Sequence, residues 1–357
     1  MKRFLCFIVV LIVLLVSCSE DEKETAKDNE TKENEVEEKT DSPEEVVEEE
    51  FEHVYPLTGV GTNKDTDNRI VSIMVNNHQK ARPQTGLSQA DIVFEILAEG
   101  KITRLLAMFQ SESPEVVGPV RSAREYYFDL AERYNALYIY HGAAGFIDDM
   151  IVNRGIHFLN GAIYDNDGNL FKRESFRRAP HNSYLQFGAV YDVAETKGYN
   201  VTQSYEPLPF LNEEELGEIP GEDAGHVEIV YSDNPTTMNI VEFDYDKTNE
   251  KYTRYSDGEK TVELNTEEPI QVDNVFIVEA THQVVDDAGR RAIDLETGGE
   301  AYLIQNGKVQ QLQWENQDGK IIPVRDGQPV GFAPGKTWVN VMPSSPGIGQ
   351  SVTVTNE

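Results

Sequence analysis

Residues 19–52 hold 17 acidic residues and four lysines, with no aromatic side chain before Phe51. Such a stretch has almost no apolar surface to bury and cannot offset the entropy of its own ordering, so it is expected to stay disordered. Residues 53–357 are therefore left to do the folding. With 25 basic and 46 acidic residues, this body still carries −21 of the chain's −32. A surface that negative repels a phosphate backbone, and nucleic acid is not an expected partner. Its length suits one large domain or two medium ones.

The chain starts with an address. Lys2 and Arg3 precede an apolar run from Phe4 to Val16. The run is shorter than a bilayer span and matches the apolar region of a signal peptide. It ends in Leu15-Val16-Ser17-Cys18, which resembles a bacterial lipobox. The expectation is a signal peptide over 1–17, a lipid-bearing Cys18, and an acidic tether over 18–52. The body would then lie outside the cell membrane, held to it by the lipid anchor. The only other cysteine, Cys6, falls in the leader, so no disulfide is available and stability must come from burial.

Two textures follow. Over 53–205, apolar β-branched runs at Ile70–Val75, Asp91–Leu97, Thr103–Phe109 and Leu137–Tyr140 predict strands. Ser122–Asn135, Phe146–Asn153 and Tyr184–Lys197 predict helices, the first opened by an S-x-x-E capping box at Ser122 and Glu125. Prolines and glutamates at 206–224 predict a linker. Over 225–345, short strands and Asn-Gly or Asp-Gly turns predict hairpins, the clearest at Asn306-Gly307. Residues 346–357 read as a tail. The expected fold is an α/β (or α+β) N-terminal domain followed by a mostly antiparallel β domain.

Several blocks resemble the YerB-like lipoproteins of Gram-positive bacteria. These are Asn76-Asn77-His78, Ala81–Leu87, Ala90–Val93, Ile102-Thr103-Arg104, Gly118–Arg124 and Pro180-His181-Asn182. Downstream, Gly289-Arg290-Arg291 and Pro334–Trp338 extend the likeness. The resemblance implies a two-domain lipoprotein of the cell surface and no particular chemistry.

Candidate site residues come from the basic ones. Residues 101–182 hold 10 of the body's 25 lysines and arginines. Arg121 and Arg124 flank a predicted helix start, where backbone N–H groups and bidentate guanidinium geometry favour an anion. Arg104, Arg178 and His181 join them as candidate ligand contacts. The competing reading is an internal ion pair, with Arg104 or Arg121 neutralising Glu95 or Glu99. Glu95, Glu99 and His141 are the candidate proton-transfer groups if the chain is an enzyme. Ser122 lacks a G-x-S-x-G elbow, and capping already occupies it. Asp165-Asn166-Asp167-Gly168-Asn169 resembles a calcium loop, and with Gly168 at position 6 Glu174 falls at position 12, but Ile163 falls at position 1, where a carboxylate ligand is required. The histidine spacing suggests no metal, and no cofactor motif is present. Trp314 and Trp338 are candidates for a sugar-stacking face, or for core. The leading expectation is a lipid-anchored binding or accessory protein holding an anionic envelope component. The alternatives are a cell-wall-polymer enzyme (a hydrolase or a phosphoryl or glycosyl transferase) and a regulator of an envelope enzyme.

Overall fold

In a computed structural model, which describes residues 51–356, the apolar runs become the middle of one twelve-stranded sheet. Its order runs Gln328–Pro329, Lys320–Arg325, Lys308–Gln317, Gly299–Gln305, Asn274–Ala280, Thr337–Pro343, Ile92–Leu97, Thr103–Phe109, Val71–Asn76, Leu137–Tyr140, Phe158–Asn160. The twelfth strand, Glu222–Asp223, pairs with Lys308–Gln317. The expected signal peptide, the lipid on Cys18 and nearly all of the acidic tether lie outside the described residues.

The runs are apolar on both sides because both faces of the sheet are covered. Val71, Ile73 and Val75 enter one core and Ile70 and Met74 the other. The first core is closed by a second, six-stranded sheet whose main strands are His226–Ser232, Asn239–Asp246, Lys251–Ser256 and Val352–Thr355. The second core is closed by the helices Glu125–Arg133 and Gly145–Asn153. The N-terminal half thus mixes helix and strand, and the C-terminal half is mostly antiparallel strand. The halves share one sheet, because Thr337–Pro343 pairs in parallel with Ile92–Leu97. Residues 206–224 contribute the helix Glu213–Gly217, opened by an Asn212–Glu215 capping box. Residues read as a tail form Ile348–Ser351 and the strand Val352–Thr355, which pairs with His226–Ser232.

The hairpin turns follow their dipeptides. Asp257-Gly258, Asn306-Gly307, Asp318-Gly319 and Asp326-Gly327 all place both residues at positive φ, as a type I′ turn requires. Two helix expectations need correction. The first helix starts at Glu125, with Arg124 as its N-cap and no side-chain cap. Ser122 Oγ instead donates to the carbonyl of His141 at 3.3 Å, so the capping box is absent. The third helix is only Val190–Thr196, because Tyr184 lies in the strand Ser183–Gln186, paired with Phe171–Arg173.

Topology gathers one set of strand ends. Val71–Asn76, Ile92–Leu97, Leu137–Tyr140, Phe158–Asn160, Asn274–Ala280 and Thr337–Pro343 all point the same way, with only Thr103–Phe109 reversed between two of them. Their carboxyl ends converge on one edge, where ligands gather in open α/β sheets.

Candidate functional site

The edge is built by loops leaving those strands. Asn76 ends its strand, and His78 follows two residues later. The backbone N–H of His78 donates to Asn76 Oδ1 at 3.0 Å, which fixes the orientation of that amide. Asn76 Nδ2 then faces His181 Nδ1 at 2.9 Å and must be the donor. His78 Nδ1 in turn accepts from the backbone N–H of Lys80 at 3.0 Å. With both Nδ1 atoms acting as acceptors, each neutral ring carries its proton on Nε2. The two rings lie 4.8 Å apart, centre to centre.

Arg121 completes the group. Its backbone is pinned, with N–H to Met74 O at 2.8 Å and its carbonyl accepting from His141 N at 2.9 Å. Its guanidinium has neither a carboxylate nor a hydrogen-bond partner among the described residues. Burial and the nearby charge of Arg104 push its pKa down to about 10. Its positive charge also helps hold His78, His141 and His181 below 6.5, although burial is the larger cause for each. One uncompensated guanidinium and two imidazole N–H donors therefore share a half-buried edge. Such a set can receive an anion and donate to several of its oxygens at once.

The other candidates fall into place around it. Arg104 donates to Glu99 Oε2 and to the carbonyl of Ser122, both at 2.8 Å. Arg124 closes on the other oxygen of Glu99. Glu99 is thus held between two arginines, and Arg124 is not free at the helix start. Arg178 is exposed in the turn that precedes His181, whose N–H bonds to the Arg178 carbonyl. His141 accepts at Nε2 from Arg173 (3.3 Å), so its Nδ1–H donates to Ser183 Oγ (2.7 Å). Both ring nitrogens are occupied.

Glu95 lies elsewhere. It is fully buried and takes Arg254 Nη2 (2.8 Å), Trp338 Nε1 (3.0 Å), Asn77 Nδ2 (2.9 Å) and Thr103 Oγ1 (2.8 Å). Its ion partner is Arg254, not Arg104 or Arg121, and that guanidinium stacks 4.5 Å over the Trp338 ring. Buried beneath the surface with its acceptors filled, Glu95 is a structural group rather than a proton shuttle. Trp314 and Trp338 are 1% and 0% exposed, so neither forms a sugar-stacking face. Asp167 Oδ1 accepts from the N–H groups of Asn169, Leu170 and Phe171, which makes its loop a self-bonded turn rather than a calcium loop. No group of three or more metal-ligating side chains occurs among the described residues.

Sequence reasoning passed over His78. Its signal was the polar trio Asn76-Asn77-His78 ending an otherwise apolar strand. His78 also opens a cleft of about 360 Å³, with Arg82, Lys101, Ile102 and Met238 among its lining residues.

Comparison with known proteins finds two family models that match this chain. Residues 57–200 match the N-terminal domain of a protein family of unknown function, DUF3048, and residues 227–339 match its C-terminal domain. The chain is 46% identical over 289 residues to the Bacillus subtilis (strain 168) protein named "Putative lipoprotein YerB", covering 81% of this chain and 86% of that one. A crystal structure of the YerB protein from Bacillus subtilis superposes with a TM-score of 0.77 at 43% identity, over 85% of this chain and 99% of the solved one. No helix among the described residues is long and apolar enough to cross a membrane.

Proposed function

From the premise that the chain belongs to the DUF3048 family, together with a relative named as a lipoprotein, we propose that it is a lipid-anchored binding protein of the cell envelope that holds an anionic component outside the membrane. One observation carries this reading. In a chain of net charge −32, the Arg121 guanidinium stands half-buried without a carboxylate among the described residues, near the Nε2–H donors of His78 and His181. A desolvated, unpaired cation costs stability, and nothing in the packing requires it there. A phosphate or carboxylate arriving from solvent would supply the missing partner. Arg104 and Arg124 do not bind the anion directly. Through Glu99 they brace the loop beside it. Arg178, exposed next to His181, adds attraction from the rim.

Calorimetric titration with inorganic phosphate and pyrophosphate tests the site. The expected result is saturable binding by the parent protein and its loss in Arg121→Gln, with Arg121→Lys retaining a weaker response. A folded parent that takes up neither anion overturns the proposal.

A further inference from the structure

The surface around Arg121 combines two features that are scarce elsewhere on the body. The first is apolar exposure. Of the eleven large apolar side chains exposed among the described residues, six belong to segments at this one edge: Ile102, Phe146, Ile163, Phe176, Val284 and Val285. They leave different elements. Ile102 is on the turn after Ile92–Leu97, Phe146 opens the helix after Leu137–Tyr140, and Ile163 follows Phe158–Asn160. Val284 and Val285 belong to the hairpin that follows Asn274–Ala280, and Phe176 shares a loop with His181. Contacts join three of these segments. Arg291 of the hairpin donates to the carbonyl of Gly100 at 2.7 Å, and Arg290 lies 5.4 Å over the Phe146 ring. Arg177 lies 5.4 Å over the Phe176 ring.

The second feature is unneutralised positive charge. Eight of the body's fourteen arginines are paired with carboxylates among the described residues. Of the other six, Arg121, Arg177, Arg178 and Arg291 all belong to this edge. Arg177 is spent on neutral acceptors, Tyr184 Oη and the Pro83 carbonyl.

We infer that this edge docks on an anionic phospholipid bilayer, with the phosphates of lipid headgroups occupying the Arg121–His78–His181 site and the apolar knobs entering the headgroup region. Apolar tips beside arginines match the interface of a bilayer, where the tips bury about 5–10 Å deep and guanidinium groups stay at phosphate level. A soluble anionic ligand would need the arginines and histidines alone. It gives no reason for six bulky apolar side chains on five separate segments to face water around them. The rest of the body is acidic and would be repelled by the same bilayer. Repulsion is screened beyond about 8 Å at physiological salt, so the charges of the docked edge dominate. The inference rests on the anion site proposed above and names the source of its ligand.

The test uses the body from Phe51 onward, which carries neither the apolar leader nor Cys18. The solved relative, of which 99% is covered by 85% of this chain, shows that a body of this extent folds on its own. Flotation with vesicles of phosphatidylglycerol in phosphatidylcholine, against vesicles of phosphatidylcholine alone, measures the bound fraction. Calorimetry with glycerol 3-phosphate runs in parallel. The expected result is at least tenfold stronger partition onto the anionic vesicles. Arg121→Gln should lower it roughly fivefold, the worth of one basic side chain at such a surface. The surface variant Phe146→Ser/Val284→Ser/Val285→Ser should lower it tenfold or more while keeping glycerol 3-phosphate binding and the parent melting temperature. Glycerol 3-phosphate binding without vesicle binding overturns the bilayer inference and leaves the anion site standing. Vesicle binding that ignores Arg121 and lipid charge overturns the bilayer inference, and failure to bind either probe overturns both.

Discussion

Replacing Glu95 by Gln removes a charge from the most enclosed polar cluster in the described structure. The carboxylate receives four donors at 2.8–3.0 Å, from Arg254, Trp338, Asn77 and Thr103. Oε1 serves Asn77 and Thr103, and Oε2 serves Arg254 and Trp338. A glutamine can keep its oxygen toward only one of these pairs. Its amide nitrogen then faces two donors, and the Arg254 guanidinium, 1% exposed, loses its counter-charge. Breaking a buried ion pair from one side costs about 3–5 kcal/mol. An unfolding entropy near 2.1 cal/mol/K per residue makes each kcal/mol worth roughly 1.6 °C in a body of this size. The expected drop in melting temperature is therefore about 5–8 °C, read by calorimetry at pH 7. Arg254→Met alone should cost a similar amount. The double variant should cost clearly less than the sum, because no orphan charge remains. A Glu95→Gln protein melting within 2 °C of the parent, or a double variant whose losses simply add, would refute the reasoning. Phosphate binding at Arg121 should be unaffected in Glu95→Gln, which separates this cluster from the site.

Asp91 offers the opposite sign. Burial raises its carboxyl from 3.8 to about 6, against hydrogen bonds from Ser111 and Gln110. A raised folded-state pKa gives stability that is fully present below 3.8 and lost as pH rises through 6, about 3 kcal/mol in all. Asp91→Asn keeps an acceptor for the two backbone N–H groups that now bond Oδ2 and offers a donor to the Ser111 hydroxyl. It should stabilise the protein at pH 7 by up to that amount and lose the advantage near pH 4, as denaturant melts at the two pH values would show. At the anion site, sulfate, whose own charge is constant over the range, should bind more tightly as pH falls from 8 to 6. The lowered His78 and His181 pKa values must rise beside an anion, so binding takes up protons; NMR titration of the two rings with and without sulfate reads the shift directly. In the unliganded protein the same lowered values act against stability as pH drops below 6.5. Gly307→Ala should cost about 1–3 kcal/mol, because φ is +69° and the added Cβ would meet the Tyr245 ring at 2.8 Å.

What the sequence disclosed depended on range. Strands such as Val71–Asn76 and Thr103–Phe109 were legible because burial on both faces leaves a continuous apolar run. The hairpins were legible because Asn-Gly and Asp-Gly satisfy a local dihedral requirement. Arg121 and His181 stood out as basic groups on loops of an acidic chain. Long-range pairing was not legible. Glu95 finds Arg254 across 159 residues, and nothing near Glu95 marks that choice over Arg104, nine residues away. The S-x-x-E pattern at Ser122 misled because the chain is still extended there: Ala123 N bonds to the Gly142 carbonyl, and the helix begins a turn later. Tyr184 misled in the same way, since pairing with Lys172 overrides a locally helical pattern. Trp314 sits on an alternating strand that suits either a wet or a dry face, and Trp338 on a strand covered on both sides; only the covering layers make both of them core.

The charge balance of the chain bears on selectivity as well as on affinity. Eight arginines of the body are neutralised by carboxylates within the fold, and of the six that are not so paired among the described residues, four belong to one edge. An anion approaching from elsewhere meets like charge, and a long polyanion cannot lie across the edge without also touching acidic surface. The arrangement therefore favours anions that are small, or that are presented singly on a plane, over extended ones. Within the edge, Arg104 and Arg124 clamp Glu99 between them, so that carboxylate is already committed. The neutral histidines then add directed donors without adding the repulsion that three fixed cations would suffer at such close quarters. The proposed anion site would stay open without ligand at neutral pH and would tighten as the incoming charge draws protons onto His78 and His181.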